Sequence, residues 1–256
     1  MPEWKMDMRK YYDITHRHHL FRNPISLQKA DGLIDLLDLK TGARVLDIAC
    51  GKGEMLVCLA ERYGISGVGV DLSPFFIAED GKKHMERVPR AKLEWMHMDG
   101  AAYKPDRPES FDLTMCIGAS WVFNGHRGTL HALKGMTMPG GLVLVGEPFW
   151  LIEPDPEYLA FDGLSRDLCS SNYGNVAIGE EEGLVPLYST ASDQDDFDRY
   201  EALQWYAAAE YASAHPDDPD VPEILAHVTH WHETHLRWGR DTMSWALYLF
   251  RKSLRE

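Results

Sequence analysis

Positive charge is scarce in this chain of 256 residues. It has 26 Lys and Arg against 40 Asp and Glu, a formal net charge of −14. A nucleic-acid backbone calls for clustered cations. No basic patch occurs along the sequence, so no nucleic-acid partner is expected. Cysteine is sparse as well: Cys50, Cys58, Cys116 and Cys169, with no C-x-x-C pair. That spacing excludes a disulfide framework and predicts reduced thiols in a cytoplasmic protein. No apolar run reaches 18 residues, so no membrane span is expected. The first residues, MPEWKMDMRKYYD, lack the apolar segment of a secretory leader. There is no internal repeat. The stretch HVTHWHETHLRWGRD is rich in histidine, but His232 and His235 are separated by two residues only. The zinc motif H-E-x-x-H needs three, so no metal is expected.

What is present can build a large core: 45% of residues are hydrophobic and eight are Trp. Apolar and aromatic residues at helical spacing predict short helices within residues 1–22, ended by Asn23-Pro24. Ser26 predicts a cap for a helix over 27–37. Short β-branched and apolar runs then alternate with helical periods. Strands are predicted at 43–49, 65–73, 91–99, 111–119 and 141–150, and helices at 54–64, 74–88 and from 125 to just before Pro139. Beyond Trp150 the pattern predicts helices over 155–173, 194–213 and 222–238, and strands over 183–193 and 242–252. Such alternation makes an α/β protein with a doubly wound, mostly parallel sheet. The expected organisation is one domain over 1–256. It comprises an N-terminal segment (1–22), a core (23–150), a helical insertion holding the sixth strand (151–240) and a final strand (241–256).

The most informative stretch is VLDIACGKGEML, Val45 to Leu56. Glycines after a buried strand let the backbone turn sharply and approach a ligand. A dinucleotide loop carries a third glycine for helix–strand packing around a pyrophosphate; here that position is Leu56. Asp47 sits inside the strand, four residues before Gly51. A carboxylate there repels a pyrophosphate and suits a cation.

Together with later stretches, this one resembles the class I S-adenosylmethionine-dependent methyltransferases. VLDIACGKG is similar to their first motif, GVGVDLSP to the second strand ending in an acid, and MHMDGAAY to the motif after the third strand. FDLTMCIGASW resembles their fourth strand, and MTMPGGLVLVGEP the turn before the fifth. The resemblance implies a Rossmann-like, seven-stranded sheet whose antiparallel last strand lies between strands five and six. It implies S-adenosylmethionine as cofactor and S-adenosylhomocysteine as product. It further implies that Asp47, Ala49, Gly51 and Gly53 form the loop beside the cofactor's amino acid part. Asp71, with Leu72 after it, would take the ribose. Asp99 would take the adenine, flanked by Met98 and Gly100, and Cys116 would lie under the methionine part. More faintly, the N-terminus and the later stretches resemble a bacterial group of small-molecule methyltransferases.

A methyl acceptor can need a base with a pKa near 7. His16, His18, His19, Glu147 and Tyr11 are the candidates. Tyr12, Trp121, Trp150 and Arg240 are candidates for the acceptor pocket. The expected activity is transfer of a methyl group to a small-molecule acceptor by in-line displacement. The alternatives are a nicotinamide reductase, a protein or nucleic-acid methyltransferase, or a cofactor-binding regulatory protein without catalysis. The sequence leaves open whether the chain forms a homo-oligomer.

Overall fold

The computed structural model describes residues 5–254. The chain opens with α1 (Met8–Thr15) and α2 (Leu27–Leu36). A β-α alternation follows: β1 (Arg44–Ile48), α3 (Glu54–Tyr63), β2 (Ser66–Asp71), α4 (Pro74–Arg87) and β3 (Lys92–His97). Next come β4 (Phe111–Ile117), α5 (His126–Met136) and β5 (Thr137–Trp150). The remainder is α6 (Pro156–Asp162), β6 (Ser170–Ser171), α7 (Asn172–Glu181), β7 (Leu184–Ala191), α8 (Gln194–Ala214), α9 (Val221–Thr234) and β8 (Met243–Lys252). The described residues fall into two compact units. The first comprises 26–147, 172–191 and 246–254; the second comprises 5–25, 148–171 and 192–245.

Local chemistry sets the element ends. The Ser26 side chain accepts from the Lys29 N–H and starts α2, while Ser73 accepts from Phe76 N–H ahead of Pro74 and starts α4. Gly64, at φ 66°, ends α3 in a left-handed turn. Val45, Leu46 and Ile48 of β1 are fully buried. Burial of each side chain contributes roughly 1.5–3 kcal/mol.

The first unit is built on a sheet of order β3-β2-β1-β4-β5-β8-β7. Strand β1 pairs in parallel with β2 (Asp47 opposite Gly69) and with β4 (Asp47 opposite Met115). Strand β8 lies between β5 and β7 and runs antiparallel to β7. The expected doubly wound sheet is therefore present, with one addition. An eighth strand, β6, pairs with the end of β5 through Phe149 and Trp150. Lys252 closes the last strand: its buried ammonium donates to Glu109 Oε1 (2.5 Å) and to the carbonyls of Lys134 and Thr137.

Two expected boundaries are corrected. The fifth helix ends at Met136, and β5 starts at Thr137 rather than 141. Thr137 Oγ1 donates to the Leu133 carbonyl and meets Thr114 Oγ1 at 2.8 Å, which ends the helix early. The Pro139-Gly140-Gly141 turn is absorbed as a bulge, since Phe111 faces Thr137 while Leu113 faces Leu142. Helix α7 was not expected, and the predicted helix over 155–173 is broken after Asp162. Gly174 and Gly179 depress the helix signal of α7. Gly179 is required by packing, because a Cβ there would stand 2.3 Å from the Phe250 ring.

In the second unit α1, α8 and α9 share a core of Tyr11, Ile14, Ala208, Ile224 and Val228. Lys10 ties α1 to Asp218 and Asp220 ahead of α9. A second cluster holds Trp150, Tyr158 and Cys169, with Trp238 stacked on Tyr158.

Glycine in the middle of β2 has a structural cause. A Cβ on Gly69 would lie 2.5 Å from the Trp95 ring of β3. Gly69→Ala is expected to destabilise the protein by about 1–3 kcal/mol through overpacking. Combination with Trp95→Val should recover part of the loss. Denaturant melts of the single and double variants check this, and an unperturbed Gly69→Ala variant would remove the steric argument.

Candidate functional site

The parallel strands β3, β2, β1, β4 and β5 end at one edge of the sheet. The chain leaves β1 toward β2 on one side and returns to β4 on the other. That makes the β1/β4 junction a switch point, where open α/β sheets bind ligands. The loop after β1 turns on three left-handed residues: Ala49 (φ 57°), Gly51 (φ 56°) and Gly53 (φ 60°). Ala49 tolerates that conformation at a cost that glycine avoids.

Asp71 ends β2 and binds this loop. Its Oδ2 accepts from the Gly51 N–H at 2.9 Å, and its Oδ1 accepts from the Ser73 N–H at 2.8 Å. Leu72, next in sequence, is exposed. Asp47 lies beneath the loop, buried in β1. Burial, and secondarily the charge of Asp71, push its carboxyl well above the usual carboxylate range. Asp99 is exposed after β3 and caps a short turn by accepting from the Ala101 N–H (2.9 Å). Met98 is half-buried, and its N–H donates to the Asp71 carbonyl. Gly100 is held by close packing: a Cβ there would lie 2.6 Å from Ile48 Cγ2. Cys116 is buried in β4, its thiol pushed up by burial and then by Asp47 and Glu147.

Five residues that the sequence reading passed over shape this edge. Asp80 and Trp95 back the glycine loop. A Cβ on Gly53 would meet the Trp95 ring at 2.6 Å and Asp80 Cγ at 2.9 Å. The Cys50 thiol donates to Asp80 Oδ2 at 3.7 Å. So Gly53 is demanded by packing behind the loop as well as by its φ. The clue in the sequence was the glycine alternation of GVGV, which leaves room for a large ring. Lys83 of α4 completes the support, donating to the Lys52 carbonyl (2.6 Å) and pairing with the buried Glu54 (2.8 Å). Burial would raise the Glu54 carboxyl, but hydrogen bonds from Lys83 and Arg87 outweigh it and hold it low.

Ser120 and His126 are the other two. The buried Glu147 accepts from Ser120 Oγ at 3.0 Å, and its other oxygen stands 3.6 Å from His126 Nδ1. Trp121, beside Ser120, is 73% exposed.

The remaining candidates lie in the second unit. His16 and His19 are buried there, with Nε2 of each at 2.9 Å from the Tyr200 hydroxyl and carbonyl respectively. His18 meets Glu210 at 2.8 Å on the surface. Tyr11 is buried against His227, and burial raises its phenol. Tyr12 is exposed under the Arg22 guanidinium. Trp150 donates to the Arg166 carbonyl, and Arg240 donates to both oxygens of Asp198. The histidines near α9 are spoken for by carboxylates in two cases, His230 by Asp162 and His235 by Asp198. Among the described residues no group of His, Cys, Asp or Glu is arranged to hold a metal.

Burial raises the Asp80 carboxyl to about 8, offset in part by Lys83. An acid whose folded pKa exceeds its unfolded value stabilises the fold at low pH. That contribution is lost between about pH 4 and 8 as the buried proton is given up. Asp80→Asn removes this loss. Its melting temperature relative to the parent should therefore rise from pH 5 to pH 8 and level off above. A difference that stays flat across that range would contradict a protonated Asp80.

A family model described as a methyltransferase domain matches residues 45–141, the span from β1 to the start of β5. The uncharacterized protein YjhP of Escherichia coli (strain K12) is 30% identical over 248 residues, 95% of this chain and 98% of its own. A solved S-adenosylmethionine-dependent methyltransferase from Thiobacillus denitrificans, in complex with S-adenosyl-L-homocysteine, is 31% identical. It superposes with a TM-score of 0.87 over 96% of this chain and 99% of that one. A demethylmenaquinone methyltransferase of Bacillus cereus (strain ATCC 10987 / NRS 248) is 29% identical over 141 residues, 51% of this chain and 57% of its own length. The glycine loop, its acids and these full-length matches agree: the chain belongs to the class I S-adenosylmethionine-dependent methyltransferases, and S-adenosylmethionine is its cofactor.

Proposed function

We propose that this enzyme methylates a small-molecule acceptor, and that Asp71, Asp99 and the loop from Asp47 to Gly53 hold the cofactor. The observation behind this reading is the Asp71–Gly51 bond, which joins the end of β2 to the left-handed loop after β1. The Gly51 and Ser73 N–H groups hold the Asp71 carboxylate at the strand end, and a carboxylate is the acceptor that a diol calls for. Asp99 lies one strand further along the same edge. Carboxyl groups set around the loop disfavour the pyrophosphate of a dinucleotide, and those that burial holds protonated can ionise toward a cationic nucleoside.

The bound cofactor supplies a methyl group already activated by its sulfonium. The chain's own residues then bind, orient and desolvate. The backbone at Gly51 and Gly53 would hold the amino acid part, and Cys116 would offer an apolar floor at the end of β4. A small acceptor accords with the acidic net charge and with the named substrate of the Bacillus relative. Four free thiols suit a reducing compartment such as the cytoplasm.

Asp71→Ala removes one or two charge-assisted hydrogen bonds, each worth about 1.5–3 kcal/mol. S-adenosylhomocysteine affinity by calorimetry should fall at least tenfold. Asp71→Asn, which keeps an acceptor for Gly51, should lose less. Unchanged affinity in both variants would displace the ribose from Asp71. Turnover is checked by incubating a panel of small phenols, amines and thiols with S-adenosylmethionine and measuring S-adenosylhomocysteine. Tight cofactor binding without product from any of them would favour a cofactor-binding regulatory protein instead.

A further inference from the structure

At the ends of β4 and β5, Ser120, Glu147 and His126 form a chain of polar contacts that the cofactor placement leaves unused. Glu147 and His126 side chains are 7% and 9% exposed. Their partners assign the protons. His126 Nε2 lies 3.0 Å from the Asn175 carbonyl of α7, which only accepts, so Nε2 carries a hydrogen. The ring's Nδ1 stands 3.6 Å from Glu147 Oε1. The Tyr248 hydroxyl of β8 donates to Asn172 Oδ1 and meets Asn175 Nδ2. The Cys116 thiol on β4 is pushed up by burial and stays protonated.

Glu147 Oε2 accepts a hydrogen bond from the Ser120 hydroxyl, 3.0 Å away. Ser120 is half-buried, and its backbone carbonyl accepts from Thr129 Oγ1, which fixes the turn. With its hydrogen committed, Ser120 Oγ presents only lone pairs to an arriving group.

We propose that Ser120 is a specificity-determining residue, poled by Glu147 and His126, and that the methyl acceptor carries an O–H or N–H donor that it reads. The neighbouring exposed Trp121 offers a flat apolar face, so an aromatic acceptor bearing a hydroxyl or amine fits both residues. This rests on the reading that the acceptor binds at the β4/β5 end of the edge. A site built around a fixed acceptor atom rejects analogues that lack the donor.

The test uses matched probes, phenol against anisole and aniline against N,N-dimethylaniline. Each is titrated into the full chain, with and without S-adenosylhomocysteine, and followed through the amide shifts of Ser120 and Trp121. Phenol and aniline should bind about tenfold more tightly, or better, than their methylated partners. Ser120→Thr should keep the preference. Ser120→Ala should lose it, and so should Glu147→Met, which frees the serine hydrogen. Unchanged S-adenosylhomocysteine affinity in these variants shows that they remain folded. Equal binding within each pair, no shift from any probe, or a preference that survives Ser120→Ala would overturn the inference. Failure of S-adenosylhomocysteine to bind the parent protein would instead overturn the cofactor placement and leave the probe comparison standing.

Discussion

The hydrogen bond from the Gly51 N–H to Asp71 is the constraint on which the site depends. It joins two strand ends that the sheet places side by side, β1 and β2. One residue thereby fixes a loop whose backbone is otherwise uphill, with Ala49 held at φ 57°. The support continues behind the loop. Trp95 and Asp80 occupy the space that a side chain at Gly53 would need, and Lys83 grips the Lys52 carbonyl. Loop, β2, β3 and α4 thus form one packed assembly in which Gly51 answers to Asp71, and Gly53 and Gly69 answer to Trp95.

That assembly has an electrostatic consequence. Asp47, Asp71 and Asp80 crowd a small volume, and burial raises two of them well above the usual carboxylate range. Nearby positive charge is spent on structure, since Lys83 and Arg87 are paired with Glu54. The carboxyls held protonated by burial carry no standing charge, but a ligand that brings its own positive charge would draw their protons off and meet the negative charge so formed. A pyrophosphate would meet the opposite situation. The absence of a third loop glycine, a matter of packing, and the presence of Asp47, a matter of charge, both point away from a pyrophosphate.

Much of the sheet was legible in the sequence because its signal is local. A buried strand followed by Gly-x-Gly, and acids at the next two strand ends, need only neighbouring residues to be recognised. Asp71 could be found by counting from Gly53, and its partner Gly51 lay in the quoted motif. Asp80 and Trp95 could not, because their role arises from the register of β2 against β3 and the seating of α4. The N-terminal histidines show the same limit. His16 and His19 looked interchangeable with His18 in sequence. Tyr200, more than 180 residues away, takes the first two into a core, while His18 goes to Glu210 at the surface. Helix α7 escaped notice because two glycines weaken its intrinsic propensity, and only packing against Phe250 explains one of them.

The two ends of the site differ in how they are encoded. The proposed cofactor end is built from backbone and from acids within residues 45–141, the span that the family model matches. Its geometry follows from the sheet and tolerates little change. The β4/β5 end depends on side chains drawn from distant segments: Ser120 and His126 within that span, Glu147, Asn175 and Tyr248 beyond it. A substitution at Glu147 would reverse what Ser120 offers to a ligand without moving a strand. On the proposed reading, acceptor choice can vary while cofactor binding persists, because the two ends rest on different segments and a change in the polarity of the Ser120–Glu147 bond leaves the glycine loop and Asp71 in place.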